Sequence, residues 1–136
     1  MALPNGAGGY QLGDGNISEV QIRTQAAPAT ATVSATLTAA QLANGIILGS
    51  PGTSAASYTL PTVADLEALV SSAKVNSSFD FSVVNVDGSS SGVITLVTNT
   101  GWSLVGLMTV AATAGTAQAF RARKTGDGTW TLYRLA

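Results

Sequence analysis

The chain has 136 residues, 46% of them hydrophobic and only 10% charged, with a net charge of −1 and neither His nor Cys. That length builds one domain around one core. Without Cys there is no disulfide or thiolate chemistry, without His the commonest general base and metal ligand are missing, and six basic residues are too few for a phosphate-neutralising patch.

Direct nucleic-acid binding is therefore not expected. The charged fraction lies far below the roughly 25% of an average soluble domain, and Ala, Thr, Ser and Gly take its place. Such a surface is weakly solvated, so much of it is expected to be covered in the working state. The alternative is a soluble monomer coated with Ser and Thr hydroxyls. No apolar run reaches the roughly 18 residues that span a bilayer, so no membrane association is expected. The opening Met1-Ala2-Leu3-Pro4-Asn5-Gly6 has neither a basic nor an apolar signal region, so Sec export is not expected either.

Residues 1–30 read as an extended N-terminal arm interrupted by Gly6, Gly8, Gly9, Gly13 and Gly15. Within it Ile17-Ser18-Glu19-Val20-Gln21-Ile22 alternates and predicts a strand that forms only against an edge it can pair with. Ile17, Val20 and Ile22, with Arg23 beside them, are candidate partner contacts. The arm is either a loose terminus or a segment that orders against a neighbouring subunit.

Residues 31–136 read as one β domain. Thr32–Leu37 alternates at period two and predicts a strand. Thr38-Ala39-Ala40-Gln41 has the spacing of a capping box, and Asn44-Gly45 offers a left-handed stop, so 39–43 is expected to be a single helical turn. Ile46-Ile47-Leu48 and Ser57–Pro61 are short strands. Thr62 opens the one clear helix, about residues 63–73, with Val63, Leu66, Leu69 and Val70 as its apolar stripe.

Phe79–Val86 alternates, with Phe79, Phe81 and Val83 on one face, and Val93–Thr98 is its expected hairpin partner across the Asp87–Gly92 turn. Further strands follow at Trp102–Gly106, Leu107–Ala111, Gln118–Arg123 and Thr129–Leu135. Short strands separated by Gly, Asn and Asp turns predict an all-β fold: an antiparallel β-sandwich, or a jelly-roll-like or barrel domain, with one short helix.

Little in the chain resembles catalytic machinery. Of the seven carboxylates, Asp14, Asp87 and Asp127 neighbour Gly as turn residues do, Asp65 and Glu67 diverge on the helix, and Asp80 sits on the exposed parity of its strand. Ser is plentiful, but no base is placed to activate it, and no phosphate-binding loop is present. No enzyme activity, cofactor or resident metal is expected. Arg121, Arg123 and Arg134 are half the positive charges, and on adjacent strands they are expected to share a face, with Lys124 nearby, as a patch for a partner's carboxylates. The aromatic residues could instead form a sugar platform, but Trp130 and Tyr133 differ in strand parity.

The run Ala35-Thr36-Leu37-Thr38-Ala39-Ala40-Gln41-Leu42, Gly45-Ile46-Ile47, Tyr58-Thr59-Leu60-Pro61-Thr62, Ser78–Asn85, Ile94-Thr95-Leu96, Trp102, Phe120-Arg121 and Tyr133-Arg134-Leu135 resembles β-rich structural modules of tailed phages and large DNA viruses. It is similar in particular to small head decoration, or cement, proteins. The resemblance covers about three-quarters of the chain and rests on strand and turn residues, so it transfers no binding residue. It implies a sandwich-like homotrimer on the outer surface of a virion, made in the host cytoplasm, that clamps neighbouring major capsid proteins. The alternative is a tail-fibre or receptor-binding β domain with a carbohydrate ligand.

Overall fold

The computed structural model describes residues 22–136. Its strands are β1 (Ala29–Ala31), β2 (Ala35–Thr36), β3 (Ile46–Gly49), β4 (Ala56–Thr59), β5 (Ser78–Asn85), β6 (Ile94–Val97), β7 (Trp102–Val105), β8 (Thr109–Val110), β9 (Thr116–Gly126) and β10 (Thr129–Arg134). Two short helices interrupt them, α1 (Ala39–Asn44) and α2 (Val63–Leu69). A six-stranded sheet runs β1-β3-β5-β9-β10-β7, and a four-stranded sheet runs β2-β4-β6-β8. Among the described residues no helix is long and apolar enough to cross a membrane.

From β1 to β8 successive strands belong to opposite sheets. Each strand therefore returns to its own sheet after one excursion and lies parallel to the strand two places earlier: β1, β3 and β5 in one sheet, β2, β4 and β6 in the other. The chain then reverses. β9 runs antiparallel to both β5 and β10, β8 runs antiparallel to β6, and β7 lies parallel to β10. The sheets are thus mixed, not antiparallel as the alternation suggested. Strand alternation reports which face is buried and carries no information on which strand lies alongside.

The expected hairpin between Phe79–Val86 and Val93–Thr98 does not form, because β5 and β6 lie in different sheets. Asn85 holds this crossover. Its buried amide donates to the carbonyls of Gly92 and Ala111 at 2.8 and 2.9 Å, and its Oδ1 accepts from Gly88 N–H at 2.7 Å. A Cβ at Gly88 would lie 2.2 Å from that amide, and one at Gly92 would lie 2.1 Å from the Gly52 carbonyl oxygen. Both positions need glycine for space.

The sheets pack face to face in a sandwich-like arrangement. Ile47, Phe81, Val83, Phe120, Ala122, Trp130 and Leu132 of the larger sheet share one core with Ala56, Tyr58, Ile94, Leu96 and Val110 of the smaller. A Cβ on Gly49 would lie 2.5 Å from the Ile94 side chain across the interface, so the Ile94 and Tyr58 side chains of the smaller sheet pack directly on the Gly49 backbone. Tyr58 Oη crosses from the smaller sheet to donate toward the Ala31 and Thr32 carbonyls at 3.0 and 3.2 Å, and burial raises its pKa, which keeps the phenol proton in place. Beside that crossing the strand expected over 32–37 shortens to Ala35–Thr36, which pairs in the second sheet, and β1 lies before it, ending at Ala31. Each large apolar side chain fully buried here contributes roughly 1.5–3 kcal/mol.

Both helices begin as their caps dictate. Thr38 and Gln41 form the reciprocal capping box, and Gly45 closes α1 with φ 96°. Thr62 Oγ1 accepts from Asp65 N–H at 3.2 Å. Helix α2 stops at Leu69, short of residue 73, because Val70 leaves helical geometry at φ −111°, ψ 53° and the serines after it favour a turn.

Candidate interaction surface

The two faces of the six-stranded sheet differ in cover. Strand pairing sets the outer face in rows. One row crosses the sheet as Val105, Tyr133, Arg121 and Asp80; the next carries Ser103, Thr131, Arg123 and Ser78. On the other side of the Arg121 row lie Ala119, Ser82 and Ile46, then Ala117, Val84, Leu48 and Thr30. Leu135 joins this region through its N–H to the Ala119 carbonyl at 3.0 Å.

No described strand or helix closes this face as the second sheet closes the other. Ile46, Leu48, Val84 and Ala119 are half-buried, while Val105 and Leu135 are 52% and 44% exposed. The result is an aliphatic centre beside a polar border. In that border Arg121 makes a two-pronged pair with Asp80, Nε to Oδ1 at 2.6 Å and Nη2 to Oδ2 at 2.9 Å. The hydrogen bonds from Arg121 hold the Asp80 carboxyl below its ordinary range and raise the guanidinium in turn. Arg123 donates to Tyr133 Oη at 2.7 and 3.0 Å and to Asn76 Oδ1 at 2.8 Å.

Of the residues singled out in the sequence, Ile17 and Val20 lie outside the described residues. Ile22 and Arg23 are exposed in the segment leading to β1. Arg121 and Arg123 share the outer face as expected. Arg134 does not join them: its register partner is Phe120, which is buried on the inner face. The Arg134 guanidinium turns instead to the Leu107 carbonyl at 3.2 Å and ties the chain after β7 to the end of β10. Lys124 is also on the inner parity, opposite Trp130, and is buried.

Lys124 belongs to a cluster that the sequence reading missed. Its Nζ lies 3.0 Å from Glu67 Oε2, donates to the Ala73 carbonyl at 3.2 Å and sits 3.8 Å from Asp127 Oδ1. Glu67 also accepts from Trp130 Nε1 at 3.0 Å and from Gly128 N–H at 3.3 Å. The hydrogen bonds from Lys124 and then Trp130 lower the Glu67 pKa. Each Glu67 partner is a positioning group for α2 against the β9–β10 hairpin. The available signal was parity, since Lys124 alternates with Phe120 and Ala122.

Among the described residues no three of His, Cys, Asp and Glu gather where they could hold a metal ion. The tryptophans offer no open platform: Trp130 and Trp102 are 1% and 8% exposed and pack against each other, with Phe79 against Trp130. Tyr133 is covered by the Arg123 guanidinium 5.6 Å from its ring centre.

No protein-family model matches the chain, and neither a curated protein nor a solved structure matches it.

Proposed function

We propose that this chain is a structural virion protein, a capsid decoration or cement module that works as a homotrimer and clamps neighbouring major capsid proteins from the outer surface of the shell. The observation that carries this reading is the open outer face of the six-stranded sheet, with its aliphatic centre at Ile46, Leu48, Val84 and Ala119 and its arginine-bearing border. Contiguous exposed apolar surface on a small domain marks a contact site. Depletion of charge is the composition of an interface core, and small side chains lower the ordering cost of close packing. A clamp needs area, not reactive groups: a stable interface buries about 1,200–2,000 Å² in total, and three-fold repetition multiplies weak contacts by avidity.

Arg121 and Arg123 are already neutralised or hydrogen-bonded within the chain, so they act as a fixed polar rim that orients a partner. The test is direct. Light scattering on the purified chain is expected to give the mass of a trimer, and electron microscopy of phage particles carrying it is expected to place it on the outer shell. A strict monomer that fails to bind expanded heads would contradict the proposal.

A further inference from the structure

A ring of identical chains puts a condition on their surfaces. One patch meeting its own copy closes a two-fold pair, so a ring of three needs two different patches on every chain. The open outer face of the six-stranded sheet is one of them. Its complement must be exposed, partly apolar and opposite in charge, and helix α2 carries such a patch. Val63 and Leu66 bury one side of α2, and Glu67 turns to the β9–β10 hairpin. Ala64, Asp65, Ala68 and Leu69, at i, i+1, i+4 and i+5, therefore share the opposite side, and all are exposed.

The charges of the two patches are unmatched within the chain and complementary between chains. Among the described residues the ion pairs are Arg121 with Asp80 and Lys124 with Glu67 and Asp127, so Asp65 has no cation, and its carboxylate accepts no hydrogen bond. Asp87 also lacks a cation, but its Oδ1 accepts from Gly52 N–H at 3.0 Å and is tied into a turn. On the outer face Arg121 is matched by Asp80, whereas Arg123 donates only to the Tyr133 hydroxyl and the Asn76 amide oxygen. The spacings also agree. Asp65 and Leu69 stand one helical turn apart, about 6 Å. The row of Arg123 and the row of Tyr133 and Val105 are two residues apart along the strands, about 7 Å.

We infer that the exposed side of α2 in one chain seats on the outer face of the next, with Asp65 against Arg123 and Leu69 beside Tyr133 and Val105. The inference rests on the homotrimer reading and adds to it which two surfaces meet. The occupant is a second copy because the same chain supplies both the carboxylate that Arg123 lacks and the cation that Asp65 lacks. Leu69 and Val105, 50% and 52% exposed, cover each other in the same contact.

A charge exchange tests this in the full-length protein. Light scattering over a dilution series reads the concentration at which the assembly comes apart. Asp65→Arg and Arg123→Glu are each expected to raise that concentration at least about tenfold, and the two together to return it to within about threefold of the wild type. Asp65→Arg breaks no ion pair or side-chain hydrogen bond among the described residues, so its effect does not pass through the fold. Urea midpoints on the same samples confirm that each variant is folded. A trimeric wild type that keeps its mass under Asp65→Arg would overturn the inference and leave the homotrimer reading standing. So would a folded double variant that stays apart. A wild type that is monomeric at every concentration would overturn both.

Discussion

The inner and outer faces of the six-stranded sheet are made by the same strands at alternate residues, and they solve opposite problems. The inner face carries Phe81, Phe120, Trp130 and Leu132 at 0–1% exposure and is closed by the second sheet. The outer face carries smaller aliphatics and a bidentate ion pair, and among the described residues nothing closes it. The difference separates two uses of apolar surface. The large buried aromatics stand where the second sheet covers them, and aliphatic side chains, with Tyr133 and the ion pair, stand on the face that the described residues leave open.

That contrast breaks most severely on the inner side. Phe81→Ala empties the centre of the core and is expected to lower stability by about 3–5 kcal/mol in urea unfolding, enough to leave a marginal domain largely unfolded. Lys124→Ala comes next, at about 2–3 kcal/mol, because it leaves Glu67 and the Ala73 carbonyl without their shared donor in a mostly buried setting. Gln118 has the opposite sign. Its Nε2 is buried on the inner face without a partner among the described residues, so Gln118→Leu is expected to stabilise the fold by about 1 kcal/mol, read as a higher urea midpoint at unchanged slope.

The smallest effect is in pH. Glu67 has a lowered pKa in the folded chain, so its contribution is present above the unfolded value of about 4.3 and is lost as pH falls through the lower folded value. The stability gap between the wild type and Glu67→Gln is therefore expected to be open at pH 7 and to close toward pH 3. A gap that widened on acidification would place the Lys124 contact wrongly.

Much of this architecture is written locally in the sequence. The alternation from Phe79 to Val86, the Thr38–Gln41 capping box and the Thr62 cap each depend on residues within a few positions, and each appears in the structure close to the expected bounds, the strand at Ser78–Asn85. What the sequence hides is non-local. Asn85 read as one more strand residue, yet its amide bridges Gly88, Gly92 and Ala111 and sends the chain to the other sheet, which cancels the hairpin and makes the pairing parallel. Adjacent strands alone do not put Arg134 on the face of Arg121, because the register sets it opposite Phe120. The candidate surface was legible as a composition, too few charges for the area, but its location required the strand order.

The proposed function requires an outer face that contacts other molecules and contributes little to the fold. The most direct measurement is on Leu48→Lys with Val84→Lys, two neighbours on that face, followed by urea unfolding and light scattering on the same sample. The account predicts folding stability within about 1 kcal/mol of the wild type and loss of the assembled mass. An assembled mass that survives both lysines, or a loss of stability as large as that of a core aromatic, would contradict it.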